Sequence, residues 1–414
     1  MRTHNSLTFG LAVMCIIQLL SMGIIDAQQA FAATYYVGKQ GRDNNSCTDA
    51  QSRSAAKLTI NEGLKCLTAG DTLYIGAGAY EEAINENSVI PSGTSWNNVV
   101  TIAAAPGESV VLRPSGTYEV ICLVGSSISY IVFDGLVLDA RNVDGHGLSL
   151  TNGAHHVRFQ NGEVMNAPNQ GILLTSGSGG TEHNELIKLN IHNNGRGRLS
   201  HGVYIATSNN LIEYSDVHHN SGYGIHIYDD NGGVNGNVVR FNIARNNSTH
   251  DCCDGGIVIG SGKDNIAYNN IVYENQYGIV VGYSGATNTK IYNNTVYNNL
   301  QYGIEIRASS TNAIIKNNIF YLNLTPISDL GIATTLSHNL TSDPKFVNAS
   351  VFDFTLQPGS SAIDAGENIN EVAVDFRGTG RPQGTNYDIG AYEYEEPRSV
   401  SPPAAPSSLH FIPQ

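Results

Sequence analysis

Along most of the chain, glycine is followed by residues that alternate between apolar and other types, and the phrase recurs. It reads Gly147-Leu148-Ser149-Leu150, Gly171-Ile172-Leu173-Leu174, Gly202-Val203-Tyr204-Ile205 and Gly224-Ile225-His226-Ile227. It continues as Gly256-Ile257-Val258-Ile259, Gly278-Ile279-Val280-Val281 and Gly303-Ile304-Glu305-Ile306. Successive glycines stand 24, 31, 22, 32, 22 and 25 residues apart. A second phrase lies between them, as in Ile266-Ala267-Tyr268-Asn269-Asn270-Ile271, Ile291-Tyr292-Asn293-Asn294-Thr295 and Ile315-Lys316-Asn317-Asn318-Ile319. Period-two alternation marks strands with one buried face. Each period therefore holds two or three short strands divided by Gly and Asn.

A repeat of ~22–25 residues is too short for a helical hairpin repeat or a propeller blade. It suits one rung of a right-handed parallel β-helix, with rungs stacked at ~4.8 Å. The expected fold is all-β, a solenoid of roughly ten rungs with the Ile and Val of each glycine phrase facing inward. Asn190, Asp216, Asn242, Asn270, Asn294 and Asn318 recur at one turn. They are expected to form a hydrogen-bonded ladder, because Asn tolerates left-handed turns and can bond the neighbouring rung. An open solenoid leaves two ends that invite edge pairing. A helix over Ala55–Leu67, with Leu58, Ile60, Leu64 and Leu67 on one side, is the expected N-terminal cap. Residues 33–115 then form that cap and the first rungs, and 116–345 the repeats. Residues 346–394 form the last irregular rungs and the other cap, and 395–414 a Pro/Ser-rich tail.

Composition narrows the classes. Of 414 residues, 44 are Gly and 44 Asn, only 14% are charged, and 21 are Tyr. An all-helical chain would carry far less Gly and Asn, and a disordered one far fewer aromatic and β-branched residues. The net charge is −14, from 22 Lys and Arg against 36 Asp and Glu, with no basic patch, so nucleic acid is not an expected partner. A polyanionic glycan would be repelled unless a local Arg cluster or bound cations offset the field, whereas a neutral glycan meets no such barrier. Residues Leu7 to Ile25 are mostly apolar, and Ala30-Phe31-Ala32 is a small-x-small cleavage site. Residues 1–32 thus read as a secretory signal, with a mature, secreted chain starting at about Ala33, lacking a membrane span and acting as a monomer. Export permits disulfides. Cys47 and Cys66 flank a polar loop and the helix-like stretch and are placed to staple the N-terminus. Cys122 lies in an apolar run, and Cys252 and Cys253 are adjacent.

These phrases resemble the right-handed parallel β-helix repeats of the pectate-lyase-like superfamily. The resemblance extends to Tyr35-Tyr36-Val37-Gly38 and Gly78-Ala79-Tyr80-Glu81 at one end, and to Asp343-Pro344-Lys345-Phe346, Ala362-Ile363-Asp364-Ala365-Gly366 and Asp388-Ile389-Gly390-Ala391-Tyr392-Glu393 at the other. It implies the fold over residues 34–394. It does not imply one activity, because the scaffold carries lyases, hydrolases, esterases, epimerases and non-catalytic adhesins. The signatures of polygalacturonases and alginate epimerases are absent. Tyr80 and Glu82, which fit a phrase shared with pectin methylesterases, read as structural.

Two rungs are about nine or ten residues longer than their neighbours, and part of the excess lies in Asn193–His201 and Asn246–Asp254. Long loops on one side are where a solenoid places a binding site. Between them stand His226, Tyr223 and Arg198 as candidate catalytic residues: an imidazole base, a phenol donor and a guanidinium to neutralise a substrate carboxylate. Arg196, His201, Tyr204, Tyr228 and His250 are candidate substrate contacts. Asp229, Asp230, Asp251 and Asp254 are candidate ligands for Ca²⁺. A secreted polysaccharide-active enzyme, a lyase by β-elimination on uronate glycans, is the first expectation. A non-catalytic carbohydrate-binding or surface protein using the same groove is the second.

Overall fold

The computed structural model describes residues 32–177, 179–248 and 255–396. The segment up to Phe31 that was expected to be a secretory signal, the tail beyond residue 396 and the stretch holding His250, Asp251, Cys252, Cys253 and Asp254 lie outside the described residues. Among the described residues, three parallel sheets of twelve, ten and nine strands run side by side, and successive strands of the chain fall to different sheets. This is the right-handed parallel β-helix of about ten rungs that the repeat predicts. One rung reads Leu211–Glu213, Asp216–His218 and Ile225–Ile227. The next reads Val238–Arg240, Ile243–Arg245 and Ile257–Lys263.

Registry is kept from rung to rung. Ile225 pairs with Ile257, Ile257 with Ile279 and Ile279 with Ile304, and all four are fully buried. Val217, Ala244, Val272 and Val296 form the matching inward column of the ten-stranded sheet, also fully buried. The core is thus a set of stacked aliphatic columns, and each rung buries its stripe only against its neighbours.

The glycine of the repeat serves space, not an unusual backbone angle. A Cβ at Gly171, Gly202 or Gly224 would stand 2.6–2.7 Å from the carbonyl oxygen of the next glycine along the stack. The doubled asparagines divide two tasks. Asn269, Asn293 and Asn317 take the left-handed backbone at φ 51°, 50° and 59°. Asn270, Asn294 and Asn318 follow them and form the ladder: Asn294 Oδ1 accepts from the backbone and side-chain nitrogens of Asn270 at 2.9 and 3.0 Å. Its own Nδ2 donates to Asn318 Oδ1 at 2.9 Å.

The expected ladder holds from Asn242 onward and slips by one residue before it. Asp216 pairs with Ile243, so the ladder position beside Asn242 is Ser215, and Asn190 is likewise displaced by Leu189. Two further ladders were not anticipated: Asn184, Asn210, Asn237 and Asn265, and Asn194, Asn220, Asn247, Asn275, Asn299 and Asn323.

The N-terminal helix is Ile60–Leu64, shorter than the predicted stretch. Thr59 begins it in extended backbone and Lys57 is tied into the strand region, accepting nothing from a helix and leaving Leu58 40% exposed. The Glu82 carboxylate accepts from the free amides of Ile60 and Asn61 at 3.0 and 3.1 Å, a helix N-terminal cap. Tyr80 is buried and donates to the Gly76 carbonyl at 2.8 Å. Both residues are structural, as expected. The Cys47–Cys66 disulfide is present with Cα atoms 5.3 Å apart. Cys122 is a buried free thiol whose pKa burial pushes up to about 12.

Residues 346–394 add no rung. Phe346–Asn348 and Asp353–Leu356 pair antiparallel, and the segment packs back along the outside of earlier rungs. Phe354 and Ile389 lie with Tyr273 and Ile319, while Val372 and Tyr387 lie with Tyr268 and Tyr292. The last rung keeps Leu324, Leu330 and Ile332 79%, 67% and 61% exposed, so the segment does not close that end. Among the described residues, no helix is long and apolar enough to cross a membrane.

Candidate functional site

On the outward side of the nine-stranded sheet, strand registry aligns Leu173, Tyr204, His226, Val258, Val280 and Glu305 in one column. This is the column read from the repeat. An outward residue on an open sheet is ordinarily wet, yet His226 is only 7% exposed and Val258 and Val280 are fully buried. Aromatic rings cover them. Tyr204 stacks on the His226 ring at 5.1 Å and Tyr228 at 5.3 Å, so the imidazole is held between two phenols. Tyr223 meets its edge at 4.6 Å, and His201 at 4.8 Å.

Tyr283 closes the cluster from two rungs further on, 6.1 Å from both His226 and Tyr228, with its hydroxyl 3.4 Å from that of Tyr223. It lies in the extended strand Ile279–Thr287, which pairs with Ile257–Lys263 through register shifts. Gly260 makes room for the rings, since a Cβ there would lie 2.8 Å from Tyr228 and 2.9 Å from Tyr283. Arg307 lies over the Tyr283 ring at 4.1 Å and pairs with Glu305 at 2.8 Å. Tyr283 escaped the sequence reading. Its signal is Gly282, at φ 92°, which breaks the strand alternation just before it.

The hydrogen bonds fix the histidine tautomers. His201 Nδ1 accepts from the backbone amide of Tyr223 at 3.1 Å, so its proton sits on Nε2. That Nε2 faces His226 Nδ1 at 3.3 Å and donates to it. His226 therefore carries its own proton on Nε2, which is buried without a hydrogen-bond partner among the described residues. Burial lowers the His201 pKa to about 3. Burial, and then the neighbouring His201, lower that of His226 well below the ordinary value. Both rings are neutral at pH 7. The expectation of His226 as an accessible imidazole base is corrected: its Nδ1 lone pair is occupied, its Nε2 is a donor, and four tyrosines surround it.

The other candidates divide. His201, Tyr204, Tyr223 and Tyr228 are brought together with His226. The Tyr228 hydroxyl donates to Asp230, and that bond, ahead of burial, raises its pKa to about 12. Burial and then Asp229 and Asp230 raise that of Tyr204. Arg198 is exposed in the loop before His201. Arg196 opens on a different cleft of about 360 Å³, lined by Arg141, Asn166 and Asn193. Asp229 Oδ2 accepts from the amides of Asn231 and Gly233 at 3.2 and 3.3 Å, and Asp230 is engaged by Tyr228. These two carboxylates close a turn and hold a phenol. Among the described residues, no three His, Cys, Asp or Glu side chains converge as metal ligands, and the other two candidates, Asp251 and Asp254, lie outside those residues.

The arrangement offers half-buried phenol faces along successive rungs, with charge at the margins from Asp230, Glu305 and Arg307. Aromatic faces of this kind stack on apolar faces of flat ligands while polar groups at the rim orient them.

Comparison with known proteins places the fold. The right handed beta helix region family matches residues 179–339. No curated protein matches the chain. Among solved structures, the pectate lyase Pel9A is 17% identical with a TM-score of 0.66, over 88% of this chain and 97% of that one. XylC, solved in complex with xylose, is 12% identical with a TM-score of 0.56, over 88% of this chain and 98% of that one. ORF18 of Geobacillus virus E2 is 16% identical with a TM-score of 0.53, over 82% of this chain and 64% of that one. At these identities the likeness is one of fold.

Proposed function

We propose that this right-handed parallel β-helix is a carbohydrate-active protein that takes a glycan chain across the outward side of its nine-stranded sheet. One observation carries this reading. Tyr204, Tyr228 and Tyr283 present half-buried rings on that side within four successive rungs. At ~4.8 Å per rung the rings span about 14 Å, enough for two or three sugar units. Two of the solved structures with this fold support the choice of ligand class, one being a pectate lyase and the other a complex with xylose. A secreted or periplasmic location fits the same reading, and the disulfide is consistent with it.

The finer reading is β-elimination from a uronate glycan. It needs a proton acceptor at the sugar carbon and a cation for the carboxylate. Arg307, over the Tyr283 ring, is a cation beside the row, and with its Nδ1 lone pair occupied His226 is a poor acceptor. Its tautomer favours the second reading, a glycan-binding protein without turnover, in which His226 only holds the rings in place.

A panel of neutral and uronate polysaccharides, with and without calcium, separates the two. Retention of one glycan class with no unsaturated product supports the binding form, and ultraviolet absorbance from unsaturated product supports the lyase. Neither retention nor turnover across the panel overturns the proposal.

A further inference from the structure

A buried carboxylate near the first strand meets no cationic side chain among the described residues. Asp71 is 4% exposed. Its Oδ2 accepts from the backbone amide and hydroxyl of Thr68, each at 2.8 Å. Its Oδ1 accepts from the backbone nitrogen of Ala33 at 2.7 Å. None of the ion pairs among the described residues involves Asp71. A buried carboxylate held only by neutral donors is costly compared with one that meets a cation.

Ala33 is fixed where it meets Asp71. Its carbonyl accepts from the Thr72 amide at 2.9 Å, and Thr34–Val37 pairs in parallel with Thr72–Ile75. Ala33 is half-buried and packs against the core, whereas Ala32 is exposed. The bond between them directly follows the small-x-small segment Ala30-Phe31-Ala32.

We propose that Ala32–Ala33 is the processing site and that Asp71 is the built receptor for the α-ammonium group that cleavage creates on Ala33. A signal-peptidase-type hydrolase adds water across the peptide bond. The carbon–nitrogen bond breaks, the leader leaves with the Ala32 carboxylate, and the Ala33 nitrogen gains protons to become an ammonium. The neutral amide that lay 2.7 Å from Asp71 Oδ1 becomes a charged donor at the same place. Charge-assisted hydrogen bonds are about twice as strong as neutral ones. Processing thus locks the first strand and makes the mature chain more stable than its precursor. This inference is independent of what the protein binds.

The full-length chain, exported from a secretion-competent host, is expected to begin at Ala33 on N-terminal sequencing. A different first residue overturns the proposal. The chain starting at Ala33 is then compared with one carrying a Gly-Ser extension. The extended chain is expected to melt lower at pH 7 by about 2 °C or more. The gap should close in the Asp71→Asn pair, and in the parent as the pH rises past the amine, because a group whose pKa is raised on folding stabilises below its unfolded value of about 8 and ceases to do so once deprotonated. Equal melting temperatures overturn the proposal. Should Asp71→Asn not fold, acylation at neutral pH gives the answer. The Ala33 amine in the folded parent should react at least about tenfold more slowly than in the unfolded chain, since each pK unit of protection is a factor of ten. Reaction at the unfolded rate overturns the assignment.

Discussion

His226 shows how far one side chain can depart from its place in a repeat. Its position on the outward column follows from alternation alone. Its burial depends on Tyr283, whose ring arrives from two rungs away, and on Gly260, which lets that ring approach. No local pattern around His226 carries that information, so neither its burial nor its lowered pKa was legible in the sequence. The buried ring changes the expected behaviour of His226→Ala. Removing it leaves a cavity between Tyr204 and Tyr228 and strips the His201 Nε2–H of its acceptor. We expect a loss of roughly 2–4 kcal/mol in denaturant unfolding. A variant as stable as the parent would mean that the stack is not packed as described.

The same burial sets a pH dependence. Burial lowers the pKa of His201 to about 3 and of His146 to about 4, while the unfolded chain binds these protons near pH ~6.5. Their stabilising contribution is present above that value and declines as the pH falls toward their folded pKa values. The denaturant midpoint should therefore drop between about pH 6.5 and 4. His201→Gln should show a shallower drop, and an identical slope in the two proteins would contradict the assignment.

At the scale of elements, strand content, inward columns and registry were legible, because a two-residue period leaves one choice of face and every rung repeats it. Asparagine was legible in kind but not in register. Asn269-Asn270 and Asn293-Asn294 show that the first residue turns the backbone and the second bonds the next rung, while Ser215 takes the ladder place in an earlier rung. The helix was overextended because apolar spacing alone cannot show that Thr59 starts it. Asn294→Ala tests the ladder. It leaves the buried Asn270 amide without its acceptor and should cost about 1–3 kcal/mol. Asn298→Ala, at a turn residue outside the ladder, should cost less, and equal losses would argue against a special role for the ladder.

At the scale of the whole chain, the fold rests on stacked inward columns. Ile227→Asp would bury an unpaired charge in that stack and should abolish cooperative folding. Reducing Cys47–Cys66, which closes a separation of 19 residues, should lower stability by about 3 kcal/mol in the chain-entropy account. Function was less legible than fold because the solenoid supplies the scaffold whatever the outward residues do. Those residues mark a face here, and the ligand class proposed above rests on that face. The most direct measurement is titration of the glycan retained best by the parent into Tyr204→Ala, Tyr228→Ala and Tyr214→Ala, with melting curves to establish that each is folded. Tyr214 is exposed and stacks on Phe241, away from the row on the nine-stranded sheet. The account predicts that either variant in the row weakens binding about tenfold or more, corresponding to the loss of ~1–2 kcal/mol of ring contact, while Tyr214→Ala binds as the parent does. Unchanged affinity in folded Tyr204→Ala and Tyr228→Ala, or an equal loss in Tyr214→Ala, would contradict it.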